Sequence, residues 1–298
     1  MSLRSILSGT GVALITPFKR DFTIDFIALE KLINFILGSG VKYIVSLGTT
    51  GETSTLSKSE KLEILEFTYT IVDGKVPVVV GIGGNDTRSL INDLQSFPLS
   101  KATAVLSASP YYNKPSQEGL FQHYKALAEA SPVPLILYNV PGRTGRNLNA
   151  ATTIRLANEV SNVAGIKEAS DDMNQFMQIV RDRPSDFLVV SGDDALILPQ
   201  IACGADGVIS VAANSLPKQF STMIRYCLAG DFKTARTIHY GLLKGYDLLF
   251  EENNPAGVKA FLHEQGLVEN VLRLPLCPVS KELGARINAF VGSLNNNY

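Results

Sequence analysis

The chain carries eight short apolar runs along its first two-thirds, and most of them are continuous rather than alternating in polarity. Continuous apolar runs are typical of strands that are covered on both faces, as in parallel sheets. We therefore predict buried strands at these places. The runs are GVALIT at 11–16, YIVSLG at 43–48, VPVVVGIG at 76–83, ATAVLSAS at 102–109, VPLILYN at 133–139, VAGIKE at 163–168, FLVVSG at 187–192 and GVISVA at 207–212.

Amphipathic segments of helical length lie between these runs, such as FIALEKLINFILGSG from residue 26 and SEKLEILEFTYTIV from residue 59. Around the start of the second segment, Ser57 and Glu60 have the spacing of a capping box, which predicts a helix start. The runs begin roughly 20 to 33 residues apart, the length of one strand-helix unit. Eight such units fit an α/β fold of the (β/α)8 barrel type better than an open doubly wound sheet.

The pattern changes after the eighth run, because only helical periodicity remains from about residue 213 onward. The first of these helices closes the barrel, and the others indicate a small helical appendix. We therefore predict a catalytic barrel domain over residues 1–230 and a C-terminal helical domain over residues 231–298. The terminal segment NNNY is expected to fray.

Composition narrows the class of protein. The 298 residues have a net charge of −1 and no basic cluster, which argues against nucleic acid or an anionic membrane as partner. No apolar run approaches the length of a membrane span. Three scattered cysteines indicate reduced thiols in a cytoplasmic protein, and three scattered histidines offer no spacing for a zinc site.

In a barrel of this kind, the loops at the carboxyl ends of the strands build the active site. These ends bring hydroxyls, tyrosines, asparagines, Arg143 and Lys167 to one rim. Lys167 directly follows the apolar part of the sixth run. A lysine that loses its hydration prefers to be neutral, and a neutral amine is a nucleophile. The alternative, a strand-end charge that turns out to solvent, stays open from these residues alone.

Three loops restrict the kind of ligand. GTTGE at 48–52 offers hydroxyls and backbone amides that could bind a carboxylate, although an ordinary glycine-rich turn explains it equally well. GIGGND at 81–86 resembles a dinucleotide fingerprint, but Asp86 stands where the third glycine belongs, so we expect no dinucleotide there. The two aspartates of SGDD at 191–194 repel phosphate, so we expect a substrate that is not a phosphate ester.

Tyr112, Tyr138 and Arg143 are further candidates. Each tyrosine precedes an asparagine and a proline-containing loop at a strand end, although core packing is the usual fate of such a ring. A phenol can act as acid and base in imine chemistry when other hydroxyls relay its proton. Arg143 could bind a carboxylate in bidentate fashion, or could be a solvated loop residue.

Seven motifs follow one another along the chain: GTTGE, SPYYNKPSQEG, YNVPGRTG, GIKEAS, SGDD, GVISVAAN and LRLPLCP. In order and spacing they resemble the dihydrodipicolinate synthases, a family of the pyruvate-dependent class I aldolases that also include N-acetylneuraminate lyase. The resemblance covers essentially the whole chain, and the ordered set is far more specific than any single motif. It implies that Lys167 forms a Schiff base with pyruvate and that neither a metal nor an organic cofactor is required.

The resemblance also implies roles for other residues. Thr49, Tyr112 and Tyr138 match the proton-relay triad of the family. Thr50 matches the residue whose backbone amide and hydroxyl hold the pyruvate carboxylate. Arg143 matches the arginine that receives the carboxylate of L-aspartate 4-semialdehyde.

Two more positions and the assembly follow from the same resemblance. Gly192 and Ile209 match residues that line the pyruvate pocket, Ile209 through its backbone carbonyl. The family's tyrosine at the position of Tyr112 reaches into the site of a neighbouring subunit. This implies self-association as a dimer or tetramer.

The implied reaction is the condensation of pyruvate with L-aspartate 4-semialdehyde to 4-hydroxy-tetrahydrodipicolinate, the first committed step of diaminopimelate and lysine biosynthesis. Two alternatives remain, a related 2-keto-acid lyase such as N-acetylneuraminate lyase and a non-catalytic keto-acid sensor on the same fold. GTT rather than GST, together with the arginine of GRTG, favours the synthase. The complete set of Lys167, Tyr138, Thr49 and Tyr112 speaks against the sensor.

Regulation is where this sequence departs from its relatives. Lysine-sensitive members of the family bind L-lysine at the dimer interface, and Asn85 and Tyr111 match residues that they use. Lys58 and Lys61, however, stand where histidines are common, and Ser89 stands where a glutamate is supplied. Two added cations and a missing carboxylate disfavour an incoming ammonium group. We predict weak or absent inhibition, and the same follows if both lysines simply form a solvated first helical turn.

Overall fold

The computed structural model describes residues 2–295, and within them parallel strands close into an eight-stranded barrel. Each strand pairs with the next along the chain, and the last pairs with the first, so the predicted (β/α)8 architecture is confirmed. The strands are β1 (Gly9–Ala13), β2 (Tyr43–Ser46), β3 (Val78–Gly81), β4 (Ala104–Ala108), β5 (Leu135–Asn139), β6 (Val163–Glu168), β7 (Leu188–Ser191) and β8 (Gly207–Ser210).

Helices precede, connect and follow the strands. The predicted capping box is present, because Ser57 and Glu60 each bond to the backbone N–H of the other. The helices are α1 (Leu3–Leu7), α2 (Phe26–Leu37), α3 (Lys58–Val72), α4 (Thr87–Ser96), α5 (Gln117–Ala130), α6 (Pro141–Thr144), α7 (Ala150–Glu159), α8 (Met173–Asp182), α9 (Ile197–Ala202), α10 (Pro217–Leu228), α11 (Phe232–Phe250), α12 (Ala256–Glu264) and α13 (Lys281–Asn295).

Alternate side chains of each strand fill the barrel interior or pack under the helices. Tyr43 belongs to the apolar cluster inside the barrel, whereas its neighbour Ile44 belongs to the outer layer. Gly165 provides space between two strands, since a Cβ at this position would lie 2.7 Å from the Cβ of Leu188. Strands covered on both faces explain why the apolar runs are continuous.

The C-terminal helices α11, α12 and α13 pack against one another, and α11 also contacts α9 and α10. Apolar side chains from both parts of the chain, among them Leu216 and Phe261, form one buried cluster. Helix α11 begins at Phe232, next to the predicted boundary at residue 230, and the division into two domains stays a prediction. Fraying was predicted for the NNNY segment, of which residues 296–298 lie outside the described part of the chain. No helix of residues 2–295 is long and apolar enough to cross a membrane.

Candidate active site

Lys167 and Tyr138 lie side by side at the carboxyl end of the barrel. They are register partners on β6 and β5, and the Nζ of Lys167 lies 4.3 Å from the centre of the Tyr138 ring. Only 5% of Lys167 and 8% of Tyr138 is exposed. The side chain of Lys167 therefore does not extend into solvent, and its amine lies over the ring of Tyr138, which carries a hydroxyl.

Gly192 leaves space beside the lysine. A Cβ at this position would lie 2.9 Å from Cε of Lys167 and 2.5 Å from Cβ of Ala169, so a larger residue would push into the lysine side chain. The backbone N–H of Gly192 donates to the carbonyl of Glu168 at 2.7 Å, which fixes the loop after β7 against β6. The position of Gly192 thus keeps room at the amine for a small molecule.

The GTTGE loop is joined through Asn254 to the segment that carries Arg143. Thr50 is buried, and its Oγ1 accepts a hydrogen bond of 3.1 Å from Nδ2 of Asn254. The backbone carbonyl of Asn254 accepts another, also of 3.1 Å, from Nη2 of Arg143. The two candidate carboxylate-binding groups are therefore held by the same residue.

Sequence reasoning missed Asn254, which is 6% exposed. It follows α11 in the C-terminal part of the chain, away from the strand ends that carry the other candidates. Among the described residues, its Oδ1 is a buried acceptor without a hydrogen-bond partner. The doubled asparagine before Pro255 was the available signal, since such a segment between helices requires side chains that bond to the backbone or to neighbours.

Two cavities lie near Lys167 and Tyr138. A cavity of about 500 Å³ is lined by Thr49, Tyr138 and Arg143, and also by Lys61 of α3, so it extends from the strand ends to that helix. A second, of about 490 Å³, is lined by Gly192 and by side chains of α11. Lys167 lies between the two, next to Tyr138 of the first cavity and Gly192 of the second.

Two of the predicted site residues have different surroundings. Ile209 on β8 is fully buried and belongs to the apolar cluster inside the barrel together with Tyr138. Tyr112 is 88% exposed and has a positive φ of 71°, an unusual conformation for a bulky residue. A single chain therefore brings together Lys167, Tyr138 and the threonine loop, but leaves the Tyr112 ring outside.

A buried ion pair holds the far end of the GTTGE loop. The Glu52 carboxylate pairs with Lys259 of α12, and its Oε2 accepts from the backbone N–H of Arg273 at 3.1 Å. Burial lowers the pKa of Lys259 to about 8, an effect that the neighbouring Glu52 opposes. Lys259 and Arg273 also lie over the ring of Phe18, at 4.2 Å and 4.4 Å from its centre. The loop is thus fixed by the C-terminal part of the chain.

The acidic loop residues have structural partners. Asp194 is buried and accepts from the backbone N–H groups of Val211 and Ala212 at 3.1 Å and 2.8 Å, and burial raises its pKa to about 6. Asp86 accepts from the N–H of Arg88 at the start of α4, which accounts for an aspartate in GIGGND. Within residues 2–295 no His, Cys, Asp and Glu side chains gather into a group that could hold a metal ion.

Comparison with known proteins gives one family. Residues 6–293 match the model of the Dihydrodipicolinate synthetase family. The 4-hydroxy-tetrahydrodipicolinate synthase of Flavobacterium psychrophilum is 48% identical over 287 residues, which are 96% of this chain and 98% of the relative. The enzyme of the same description from Parabacteroides distasonis is 50% identical over 272 residues, or 91% of this chain and 92% of the relative.

Solved structures agree with this result. The crystal structure of dihydrodipicolinate synthase from Thermotoga maritima superposes with a TM-score of 0.95 at 39% identity, and the match covers 97% of this chain and 99% of the other. Sequence and fold are therefore similar to the same group of enzymes over nearly their full lengths.

Proposed function

The chain belongs to the dihydrodipicolinate synthetase family, and on that basis we propose that it is a lyase that condenses pyruvate with L-aspartate 4-semialdehyde. The product is 4-hydroxy-tetrahydrodipicolinate, which leads to diaminopimelate and lysine. The observation that carries the proposal is the buried Lys167 beside Tyr138, with the bare backbone of Gly192 opposite. A buried amine with room for a small ligand is suited to attack a ketone.

Lys167 begins the reaction as a neutral amine. Its nitrogen attacks C2 of pyruvate, and the ketone oxygen takes up a proton to give a carbinolamine. Loss of that oxygen as water gives a protonated imine, with Tyr138 moving the protons. The positive nitrogen withdraws electrons, so the methyl group loses a proton and becomes an enamine.

The enamine carbon then forms the new bond to the aldehyde carbon of the second substrate, whose oxygen becomes a hydroxyl. The amino group of that substrate attacks the imine carbon and displaces the nitrogen of Lys167. This transimination closes the ring and returns the free lysine. One water molecule leaves in the cycle, and no oxidant or reductant is consumed.

The carboxylates of the two substrates have separate partners in this proposal. Thr50 holds the pyruvate carboxylate through its backbone amide and hydroxyl, and Arg143 receives the carboxylate of L-aspartate 4-semialdehyde. The contacts of Asn254 with both residues support this arrangement, because they fix the distance between the two groups. Gly192 and the backbone carbonyl of Ile209 complete the pyruvate pocket.

The proton relay requires a second subunit. We propose that Thr49, Tyr138 and Tyr112 form the relay, with Tyr112 supplied by a neighbouring copy of the chain in a dimer or tetramer. The exposure of its ring supports this, since a side chain that is 88% exposed is open to a neighbouring copy. We also propose a barrel domain over residues 1–230, a helical domain over 231–298, a cytoplasmic enzyme and no metal or organic cofactor.

Borohydride trapping tests the proposal. Reduction of the imine in the presence of pyruvate should attach a stable adduct to Lys167, and peptide mapping locates it. Lys167→Ala should fold normally, trap no pyruvate and lose nearly all turnover of pyruvate and L-aspartate 4-semialdehyde. Lys61→Ala, which changes a lysine at the cavity lining, serves as the matched control and should trap normally. An adduct on another lysine, or none at all, would overturn the mechanism. N-acetylneuraminate cleavage, assayed in parallel, should be absent.

A further inference from the structure

Glu168, the residue after the reactive lysine, lies in a buried polar network on the outer face of the barrel. Successive side chains of a strand point to opposite faces, so Lys167 and Glu168 point in different directions. Glu168 is only 1% exposed. Its carboxylate accepts from Nδ2 of Asn139 at 3.0 Å and 3.1 Å, from Nε2 of Gln175 at 3.1 Å and from the N–H of Ser170 at 2.8 Å.

The direction of these hydrogen bonds is fixed by the backbone. The N–H of Leu148 donates to Oδ1 of Asn139 at 2.9 Å, and a backbone N–H cannot accept. The amide of Asn139 must therefore turn its NH₂ group toward Glu168. Every partner of Glu168 is a hydrogen-bond donor, so the network fits a carboxylate. A carboxamide at position 168 would turn its own NH₂ group toward these donors.

Burial raises the pKa of Glu168, while the hydrogen bonds from Asn139, Ser170 and Gln175 lower it. Asn147 extends the network, since its Oδ1 accepts from Asn139 at 2.7 Å and its Nδ2 donates to Oε1 of Gln175 at 2.9 Å. The network thus joins β5, β6, α8 and the segment before α7. Such closed polar networks hold their members in one arrangement.

The register of the two strands places this network next to the chemistry. Asn139 pairs with Glu168, and the adjacent pair along the ladder is Tyr138 with Lys167. We infer that Glu168 and Asn139 are positioning residues, which hold the ends of β5 and β6 so that Tyr138 and Lys167 stay aligned for proton transfer. This inference rests on the proposed Schiff base at Lys167.

A charge-exchange experiment tests the inference. In Glu168→Gln, the new NH₂ group faces hydrogen-bond donors. In Asn139→Asp, two carboxylates face each other. Each should lower kcat per active site by about tenfold or more, because small misplacements of reacting groups strongly slow a reaction. The Michaelis constant for pyruvate should change by less than about threefold, since the GTTGE loop is untouched. The double variant again pairs one carboxylate with one carboxamide, and it should be faster than either single variant, although the amides of Gln175 and Asn147 must turn over to match it.

Active sites are counted in every variant by borohydride trapping of pyruvate, so loss of folded protein does not lower the measured kcat. Glu63→Gln, an exposed change on α3, is the matched control and should leave kcat unchanged. If Glu168→Gln does not fold, Gln175→Met, which removes one donor, should lower kcat per site by about threefold.

The outcomes separate this inference from the proposed function. A wild-type enzyme that traps no pyruvate on Lys167 overturns the proposed function. A wild type that traps normally, together with a folded Glu168→Gln or Gln175→Met variant of unchanged kcat per site, overturns the positioning role alone. A double variant that is no faster than the slower single variant also overturns it, because the complementary pair then does not align the site.

Discussion

Lys259 and Glu52 form an ion pair from which solvent is fully excluded, with 0% of either side chain exposed. Lys259 lies on α12 and Glu52 at the end of the GTTGE loop, so the pair joins the C-terminal helices to the loop that carries Thr49 and Thr50. The Nζ of Lys259 also donates to the carbonyl of Val271 at 2.9 Å. The geometry of the GTTGE loop therefore depends on a residue far along the chain.

Lys259→Met should lower the free energy of unfolding by about 3–5 kcal/mol, because it leaves the buried carboxylate of Glu52 without a compensating charge. Urea denaturation followed by circular dichroism measures the change. Lys125→Met is the control, because its pair with Glu129 is exposed and long at 4.0 Å, and it should cost less than about 1 kcal/mol. Equal losses in both variants would contradict the importance of the buried pair.

Arg143→Ala should raise the Michaelis constant for L-aspartate 4-semialdehyde far more than that for pyruvate. Arg143 is exposed, and loss of a hydrogen bond to a charged group costs about 1.5–3 kcal/mol. Steady-state kinetics with each substrate varied in turn gives both constants. Arg155→Ala, an exposed change on α7, should alter neither. Similar increases for both substrates would remove Arg143 from its proposed role.

Tyr112→Phe should reduce turnover by about a hundredfold, since it removes a relay hydroxyl and keeps the ring. Pyruvate trapping should be less affected. If the residue acts across an interface, mixing Tyr112→Phe with Lys167→Ala subunits creates sites that contain both native groups, and activity should return in part. Mass spectrometry verifies that mixed dimers have formed. No recovery in such dimers would show that each site is built from one chain.

L-Lysine should inhibit weakly or not at all. Lys58 already pairs with Asp93 at 3.0 Å, and Lys61 lines the larger cavity together with Tyr111. An incoming ammonium group would meet the charge of Lys61 and no glutamate at Ser89. Assays at saturating pyruvate with rising L-lysine measure the effect, and a triple variant Lys58→His, Lys61→His, Ser89→Glu should gain sensitivity. Strong inhibition of the wild type at sub-millimolar L-lysine is the contrary result.

The free energy of unfolding should fall in acid because the ion pair between Glu60 and Arg273 is lost. In this pair, Oε1 of Glu60 lies 2.5 Å from Nη2 of Arg273. Chiefly the hydrogen bond from Arg273 lowers the pKa of Glu60 from 4.5 to about 2. The pKa of Glu60 is lower in the folded protein than in the unfolded chain. The contribution of the pair to the free energy of unfolding is therefore complete above pH 4.5 and is lost as the pH falls from 4.5 toward 2. The difference in unfolding free energy between wild type and Glu60→Gln should shrink over that range. A constant difference would contradict this linkage.

The barrel could be predicted from sequence because strands buried on both faces leave continuous apolar runs, and their ends mark the active rim. The limits of the strands were less accurate. The first run predicted a strand to Thr16, whereas β1 ends at Ala13. Leu14 still donates to β2, but the N–H of Ile15 bonds to the side chain of Asn214 instead, so the ladder stops there.

The proximity of Lys167 and Tyr138 was accessible to sequence reasoning for the same reason, since each lies at the end of an apolar run. The residues that hold the candidate site in place could not be found from the sequence. Asn254 and Lys259 contact loops some two hundred residues earlier, and such contacts leave no periodic signal in the sequence. Nor does a pattern along one chain tell whether an exposed ring such as Tyr112 is completed by another copy.

The link between Glu52 and Lys259 also has a consequence for the order in which the polypeptide is made. A ribosome has released β5 and β6, with Tyr138 and Lys167, well before it adds Asn254 and Lys259. A nascent or prematurely terminated chain that stops before these residues contains Lys167 and Tyr138 but has no cation for Glu52 and no amide for Thr50. Nonsense mutations late in the gene should therefore be as damaging as early ones, because the GTTGE loop is completed only at the end of translation.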